Sequence, residues 1–302
     1  MKKTLFATAA LMTCGIASPA LAADDNSPLT LSLEIGAEYD DNVTVDANDQ
    51  TSQQGDAIAT LDGEIGYRFN LTNDVSLNAN YSLSQSWHED LSNFDMQIHT
   101  PSLGLKAKMG GLDLGLNYLY SHTRLDDDSF LDIHSVRPSV GGLVTNKVYV
   151  IGAYEYQDKD FAGQTARDAK QHAGSVKAIY ILGKGQTINA GYKLVKEDAT
   201  AAEFDYWGHY FNIGLKTPLP LANIDATFRA KYRYYWRNYT GITPLIGEER
   251  SDNRHRLRTS LEVPFANSMT ATLHYEFTHA ISNLASVDYD SHVVGLRLGW
   301  EL

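Results

Sequence analysis

Ile224-Asp225-Ala226-Thr227-Phe228-Arg229-Ala230-Lys231-Tyr232-Arg233-Tyr234-Tyr235-Trp236-Arg237 is the stretch that decides the fold. Its apolar residues fall on even positions, from Ile224 through Trp236. Asp225, Thr227, Arg229, Lys231, Arg233 and Arg237 take the odd ones. A period of two means a β-strand with one apolar and one polar face. The same pattern recurs outward along the chain. Leu29 to Tyr39 alternates with Ser32, Glu34, Gly36, Glu38 and Asp40, and Val75 to Trp87 alternates with serines and asparagines. At the end, Val294, Leu296, Leu298, Trp300 and Leu302 oppose Gly295, Arg297, Gly299 and Glu301. These runs are roughly 10–14 residues long, more than the usual 5–6 of soluble sheets, and they match tilted strands that cross a bilayer.

The connections alternate in length. Short turns stand at 71–74, 110–111, 145–147, 183–185, 218–223 and 266–268. Longer polar loops stand near 42–55, 89–93, 122–132, 157–168, 197–204, 238–252 and 282–288. That asymmetry predicts an all-β protein, a transmembrane antiparallel up-and-down β-barrel of about 14 strands over residues 29–302, its short turns periplasmic. Pro101 suggests a bulge or an edge-like kink, and residues 132–144 alternate poorly, so 12 strands are the alternative. Tyr39, Trp87, Tyr118, Tyr120, Tyr154, Tyr156, Trp207, Tyr234 and Trp236 lie near the long-loop ends of the strands. Tyr67, Phe69, Phe265 and Trp300 lie near the short-turn ends. Two aromatic girdles are expected at membrane interfaces.

Residues 1–22 read as a secretory signal peptide: Lys2 and Lys3, an apolar run from Leu5 to Ile16, then Ala20-Leu21-Ala22 as the cleavage site. Residues 23–28 form a short segment before the first strand. Cleavage removes Cys14, the one cysteine of the chain, and with it any disulfide or thiolate metal site. The expected destination is the outer membrane of a Gram-negative cell. The 302-residue chain carries 37 acids against 25 Lys plus Arg, a net charge of -12, which argues against nucleic acid as a partner. Mean hydropathy is -0.31, which excludes a bundle of spanning helices.

Tyr39-Asp40-Asp41-Asn42-Val43 closes the first strand, Arg250-Ser251-Asp252 precedes the strand at 254–265, and Tyr275 leads through Ser282-Asn283 to Asp288-Tyr289. This series resembles the C-terminal barrel of the surface lipoprotein assembly modifier family. The resemblance implies a 14-strand outer-membrane barrel that takes part in delivering lipoproteins to the cell surface. In that family tetratricopeptide helices usually precede the barrel, and here they are expected to be lacking. The resemblance singles out Tyr39, Asp40, Asp41 and Asn42 and implies no catalytic residue.

The polar faces turn to the lumen. Arg229, Lys231, Arg233, Arg237, Arg254, Arg256, Arg258 and Arg297 form a basic wall toward the C-terminus. Glu34, Glu38, Asp40, Asp62 and Glu64 form an acidic wall on the first two strands. Opposed walls orient charged solutes, which gives the alternative function: a diffusion channel for small polar or anionic solutes. The competing reading is that neighbouring strands pair these charges and merely fill the barrel. No enzyme is expected, since G-x-S-x-G and H-E-x-x-H are both missing from the sequence; His274 and Glu276 are lumen-facing but read as solvated. Asp126-Asp127-Asp128-Ser129 offers oxygens to calcium but reads as a solvated acidic tip. The loop at 238–252 reads as a lumen plug, a pack against a neighbour, or a flexible outer loop. No cofactor or metal is expected. Expected partners are outer-membrane lipids, a lipoprotein client or small polar solutes, and the barrel assembly machinery through the C-terminal strand.

Overall fold

In the structure, a computed structural model, residues 28–221, 224–266 and 268–302 are described. The signal peptide read over 1–22, and all of the 23–28 segment except Pro28, lie outside them. The chain begins with β1 (Leu29–Asp40), followed by a two-residue pair, β2 (Thr44–Val45) and β3 (Gln50–Thr51). Next come β4 (Asp56–Asn70), β5 (Val75–His88), β6 (Met96–Met109), β7 (Leu112–Leu125), β8 (Asp128–Thr145) and β9 (Val148–Phe161). The series continues with β10 (Ala169–Gly183), β11 (Gln186–Ala199), β12 (Tyr206–Leu221), β13 (Ile224–Thr243), β14 (Glu248–Ala266), β15 (Met269–Ser282) and β16 (Tyr289–Glu301). β1 and β4 to β16 pair in sequence order into a closed antiparallel barrel of 14 strands, sealed where β1 meets β16, with Glu34 opposite Gly299 and Gly36 opposite Arg297.

Closure leaves no open edge strand, so neighbouring strands pair their backbone groups without water, as a bilayer demands. The even positions of β13 face outward, as expected: Ile224, Tyr232 and Trp236 are exposed, like Leu33, Leu296 and Leu298 on the seam. Tyr39, Trp87 and Trp207 stand on the outside at the long-loop end, and Tyr67, Phe69 and Phe265 at the other. Pro101 makes no bulge. The β6–β7 ladder runs from His99↔His122 to Ser102↔Leu119 in unchanged register. Proline has no N–H to donate, so it drops a rung without shifting the pairing. Residues 132–144 belong to β8, and Pro138 likewise leaves the β8–β9 register intact.

Four long loops share one construction. A 3-10 turn ends on an aspartate that accepts a backbone N–H from the end of the preceding strand. Asp95 accepts from His88 at 2.6 Å, Asp168 from Phe161 at 2.7 Å, Asp205 from Ala199 at 2.5 Å and Asp288 from Ser282 at 3.2 Å. The carboxylate satisfies a donor that the ladder has just left behind. The stretch 238–252 does not plug the lumen. β13 and β14 run on to a turn at 244–247, with Leu245 85% exposed. Below the turn, Gly241 lies so near the neighbouring loop that a Cβ would meet the Ala202 carbonyl oxygen at 2.1 Å. Of its three readings, neighbour packing is the observed one. Asp126 and Asp127 are the two-residue tip of the β7–β8 hairpin, with φ of 51° and 62°, and the Asp127 side chain is fully open to solvent.

Candidate functional site: the lumen and its first loop

The loop between β1 and β4 does not extend into solvent. Residues 41–55 fold back into the barrel. One side is apolar: Val43, Val45 and Ala47 are buried against Phe94, Phe130, Leu131 and Phe161 from the β5–β9 side of the wall. The other side is acidic and reaches the opposite wall. Asp46 lies 2.5 Å from Arg254 Nη1 and 3.3 Å from Arg256 Nη2, and accepts from Tyr289 Oη at 3.1 Å. Asp49 lies 2.8 Å from Arg250 Nη2 and 2.8 Å from Arg167 Nη2. Arg167 also donates to the Ala47 carbonyl at 3.2 Å. Asp49 takes a left-handed φ of 53°, which aspartate tolerates. Loop 1 thus crosses the lumen, with an apolar anchor at one end and a carboxylate latch at the other.

Burial works to raise both loop carboxyls, but the guanidiniums outweigh it. Arg254 and Arg256 hold Asp46 well below the ordinary carboxylate range. Arg250 and Arg167 lower Asp49 in the same way. Both are therefore ionised at neutral pH.

The residues read as a basic wall divide into groups. Arg254 and Arg256 hold the loop. Arg229 pairs with Glu262 on β14. Arg237 donates Nε–H to Tyr210 Oη at 2.8 Å and lies over the rings of Tyr235 and Tyr206, 4.7 and 4.8 Å from their centroids. Lys231 is in register with Arg258, and Arg233 with Arg256, so four cations stand in two adjacent rungs of β13 and β14. The acid on their flank is Glu276, 3.4 Å from Arg256 Nε and 3.8 Å from Arg258 Nη1.

The acidic and basic walls are not wholly separate sectors. Barrel closure puts β1 against β16, and Arg297 enters the acidic wall at 2.8 Å from Glu34 Oε1 and 3.1 Å from Asp62 Oδ2, with Glu38 as its third partner. Here the ion-pair reading describes the geometry. A second ladder joins β9 to β11, with Lys159 to Glu197 at 2.5 Å and Lys193 to Glu155 at 3.0 Å. Glu64 lies one rung beyond Asp62, in register with Ser82. His274 and Glu276 both face the lumen but serve different partners: His274 Nε2 is 3.4 Å from Glu38 Oε1, while Glu276 engages arginines.

Tyr39-Asp40-Asp41-Asn42 turns the chain from the seam into the lumen. Asp40 accepts from Asn42 N at 2.9 Å and Ser291 Oγ at 2.8 Å, and Asp41 accepts from His292 N at 2.6 Å. Asn42 Oδ1 accepts from Thr51 Oγ1 at 2.7 Å and Gln53 N at 3.0 Å. Tyr39 faces outward, 51% exposed. The motif sets the loop's entry angle and ties it to β16. Sequence reasoning missed Asp46, Asp49 and Arg167, and named Arg250 and Tyr289 only within the family-like series. The available signal was the alternation Val43, Val45, Ala47 inside a supposedly polar loop, apolar surface that an outward loop has no use for.

A family model described as surface lipoprotein assembly modifier matches residues 35–301. No curated protein sequence matches the chain. Among solved structures, the barrel is similar to the anion-selective porin from Comamonas acidovorans, with a TM-score of 0.56 and 8% identity over 91% of this chain and 98% of that one. OccAB3 of Acinetobacter baumannii (TM-score 0.49, 7% identity) covers 91% of this chain and 99% of its own. The loop L8 deletion mutant of OmpT from Vibrio cholerae (0.49, 9% identity) has the same coverages. At such identities the likeness is one of fold.

Proposed function

This chain belongs to the surface lipoprotein assembly modifier family, and we propose that its outer-membrane barrel is a pathway for small anionic solutes, constricted by loop 1. The observation that carries the reading is the doubled cationic rung, Lys231 with Arg258 and Arg233 with the latch residue Arg256, beside the other latch arginine, Arg254. Four cations in two rungs repel one another in a lumen of reduced dielectric. A mobile anion relieves that repulsion, which makes such a wall attractive to carboxylate and phosphate groups. The barrel shares its fold with an anion-selective porin.

The test is conductance of the refolded barrel in a planar bilayer under a salt gradient. Wild type is expected to give small steps with a reversal potential on the anion side. Arg233→Ala/Arg256→Ala is expected to move that potential toward zero. An unchanged potential in a folded variant rejects the anion pathway.

Family membership supports a second reading, delivery of a lipoprotein client to the surface. Its test is protease access to a surface-lipoprotein reporter on cells with and without this chain. Equal display in both rejects it.

A further inference from the structure

The outer face of the barrel carries a repeated pair that neither the lumen nor the apolar belt explains. Six of the seven hairpins that turn at the loop 1 end of the barrel bear an outward tyrosine on the first strand and an outward histidine on the second. Tyr81–His99, Tyr118–His134 and Tyr154–His172 bring Oη and Nδ1 to 2.6, 2.8 and 2.5 Å. Tyr192–His209, Tyr232–His255 and Tyr275–His292 do so at 2.9, 2.6 and 2.7 Å. The register is identical in all six: each histidine lies opposite the residue two past the tyrosine, as in His99 opposite Leu83 and His292 opposite Phe277. The seventh hairpin, β1 with β4, has no histidine on either strand.

The pairs form a belt near the long-loop ends, where the apolar outer face gives way to polar loops. That is the level of the lipid headgroups in the outer leaflet. Each imidazole is exposed or half-buried, and its Nδ1 is engaged by the barrel's own tyrosine. A phenol donating to Nδ1 fixes the tautomer that carries the proton on Nε2. At His99 that nitrogen lies 3.0 Å from Gln97 Oε1, so the N–H donors presented to the surrounding headgroups are those of His134, His172, His209, His255 and His292. Two other outward histidines are held differently, His122 by Asp132 at 2.7 Å and His279 by Asp290 at 2.5 Å. Their carboxylate partners suit them less to an anion.

We propose that five of the tyrosine-bound histidines, His134, His172, His209, His255 and His292, are a headgroup-binding belt, each Nε2–H donating to a phosphate oxygen of a phosphorylated lipid in the outer leaflet. Tyrosine or tryptophan alone would anchor the interface; the histidine adds a donor of fixed direction.

The test is histidine side-chain nitrogen NMR on the folded chain in maltoside micelles, with peaks assigned by single His→Gln variants. Doping the micelles with phosphatidic acid is expected to move the Nε2 resonances of the five belt histidines. The lumen-facing His88 and His274 should stay in place. Diacylglycerol, which lacks phosphate, should move none. A variant with all five changed to phenylalanine, which keeps the aromatic belt, should retain at least threefold less phosphatidic acid through purification. The proposal is overturned if the five resonances stay still, if diacylglycerol or inorganic phosphate moves them as far, or if His88 and His274 shift equally.

Discussion

Replacing the latch carboxylates, Asp46→Asn with Asp49→Asn, should open the lumen. In the docked loop, Asp46 faces Arg254 and Arg256, whose side chains are 6% and 15% exposed, and Asp49 faces Arg250 and Arg167 at 3% and 18%. Removing one partner of a buried ion pair costs about 3–5 kcal/mol, because the remaining charge stays desolvated. Asp46 keeps 23% exposure and asparagine still accepts a hydrogen bond, so the lower figure is the better one for the pair of changes together. Against this stands the apolar anchor. Val43 and Val45 contribute about 1.5 kcal/mol each when fully buried, roughly the size of the loss. A shift of about 3 kcal/mol changes the ratio of released to docked loop by about a hundredfold. The loop also loses two negative charges, so the opened lumen should favour anions more strongly. The assay is single-channel recording with a salt gradient. The expected result is larger or more frequent open steps and a reversal potential moved further toward the anion limit. Wild-type conductance and potential from a variant with the heat-modifiable gel mobility of a folded barrel would refute both the latch and the constriction.

The same latch gives a pH prediction. Folded-state pKa values of Asp46 and Asp49 lie below the ordinary value of about 3.9. Their contribution to docking is therefore full above that value and is lost only as pH falls through the depressed values. Conductance should be flat from pH 7 to about 5 and rise only below pH 4; a rise centred near pH 6 would point to a histidine instead. Arg297→Ala should be among the most destabilising single changes, by about 3 kcal/mol or more, since it leaves Glu34, Glu38 and Asp62 facing one another at the barrel seam. Urea unfolding in detergent measures it, and a change under 1 kcal/mol would count against the seam role. Gly241→Ala puts a methyl against the Ala202 carbonyl and should cost about 1–3 kcal/mol locally. Limited proteolysis should then cut the 238–252 hairpin sooner while the barrel persists.

Much of this molecule was readable in the one-dimensional pattern. Strict alternation in segments such as Ile224 to Trp236 assigns each side chain to lipid or lumen, because a pleated strand admits no other periodicity. Alternating short and long connections gives the strand number. Turn chemistry was legible too, including the acidic tip at Asp126-Asp127. One further repeat was present but unread: aspartate followed four residues later by histidine, at Asp95/His99, Asp168/His172, Asp205/His209 and Asp288/His292. It marks loop closure and belt together.

What the chain pattern alone could not decide is who meets whom across the barrel. Arg297 and Glu34 lie at opposite ends of the sequence and become neighbours only when β16 closes on β1. Asp46 reaches Arg254 only because loop 1 turns inward, and it turns inward because Val43, Val45 and Ala47 find cover on Phe94, Phe130 and Phe161. Local periodicity records the face a residue takes. Charge pairing across a closed lumen depends on shear, closure and loop direction, which the alternation of residues along a strand does not encode.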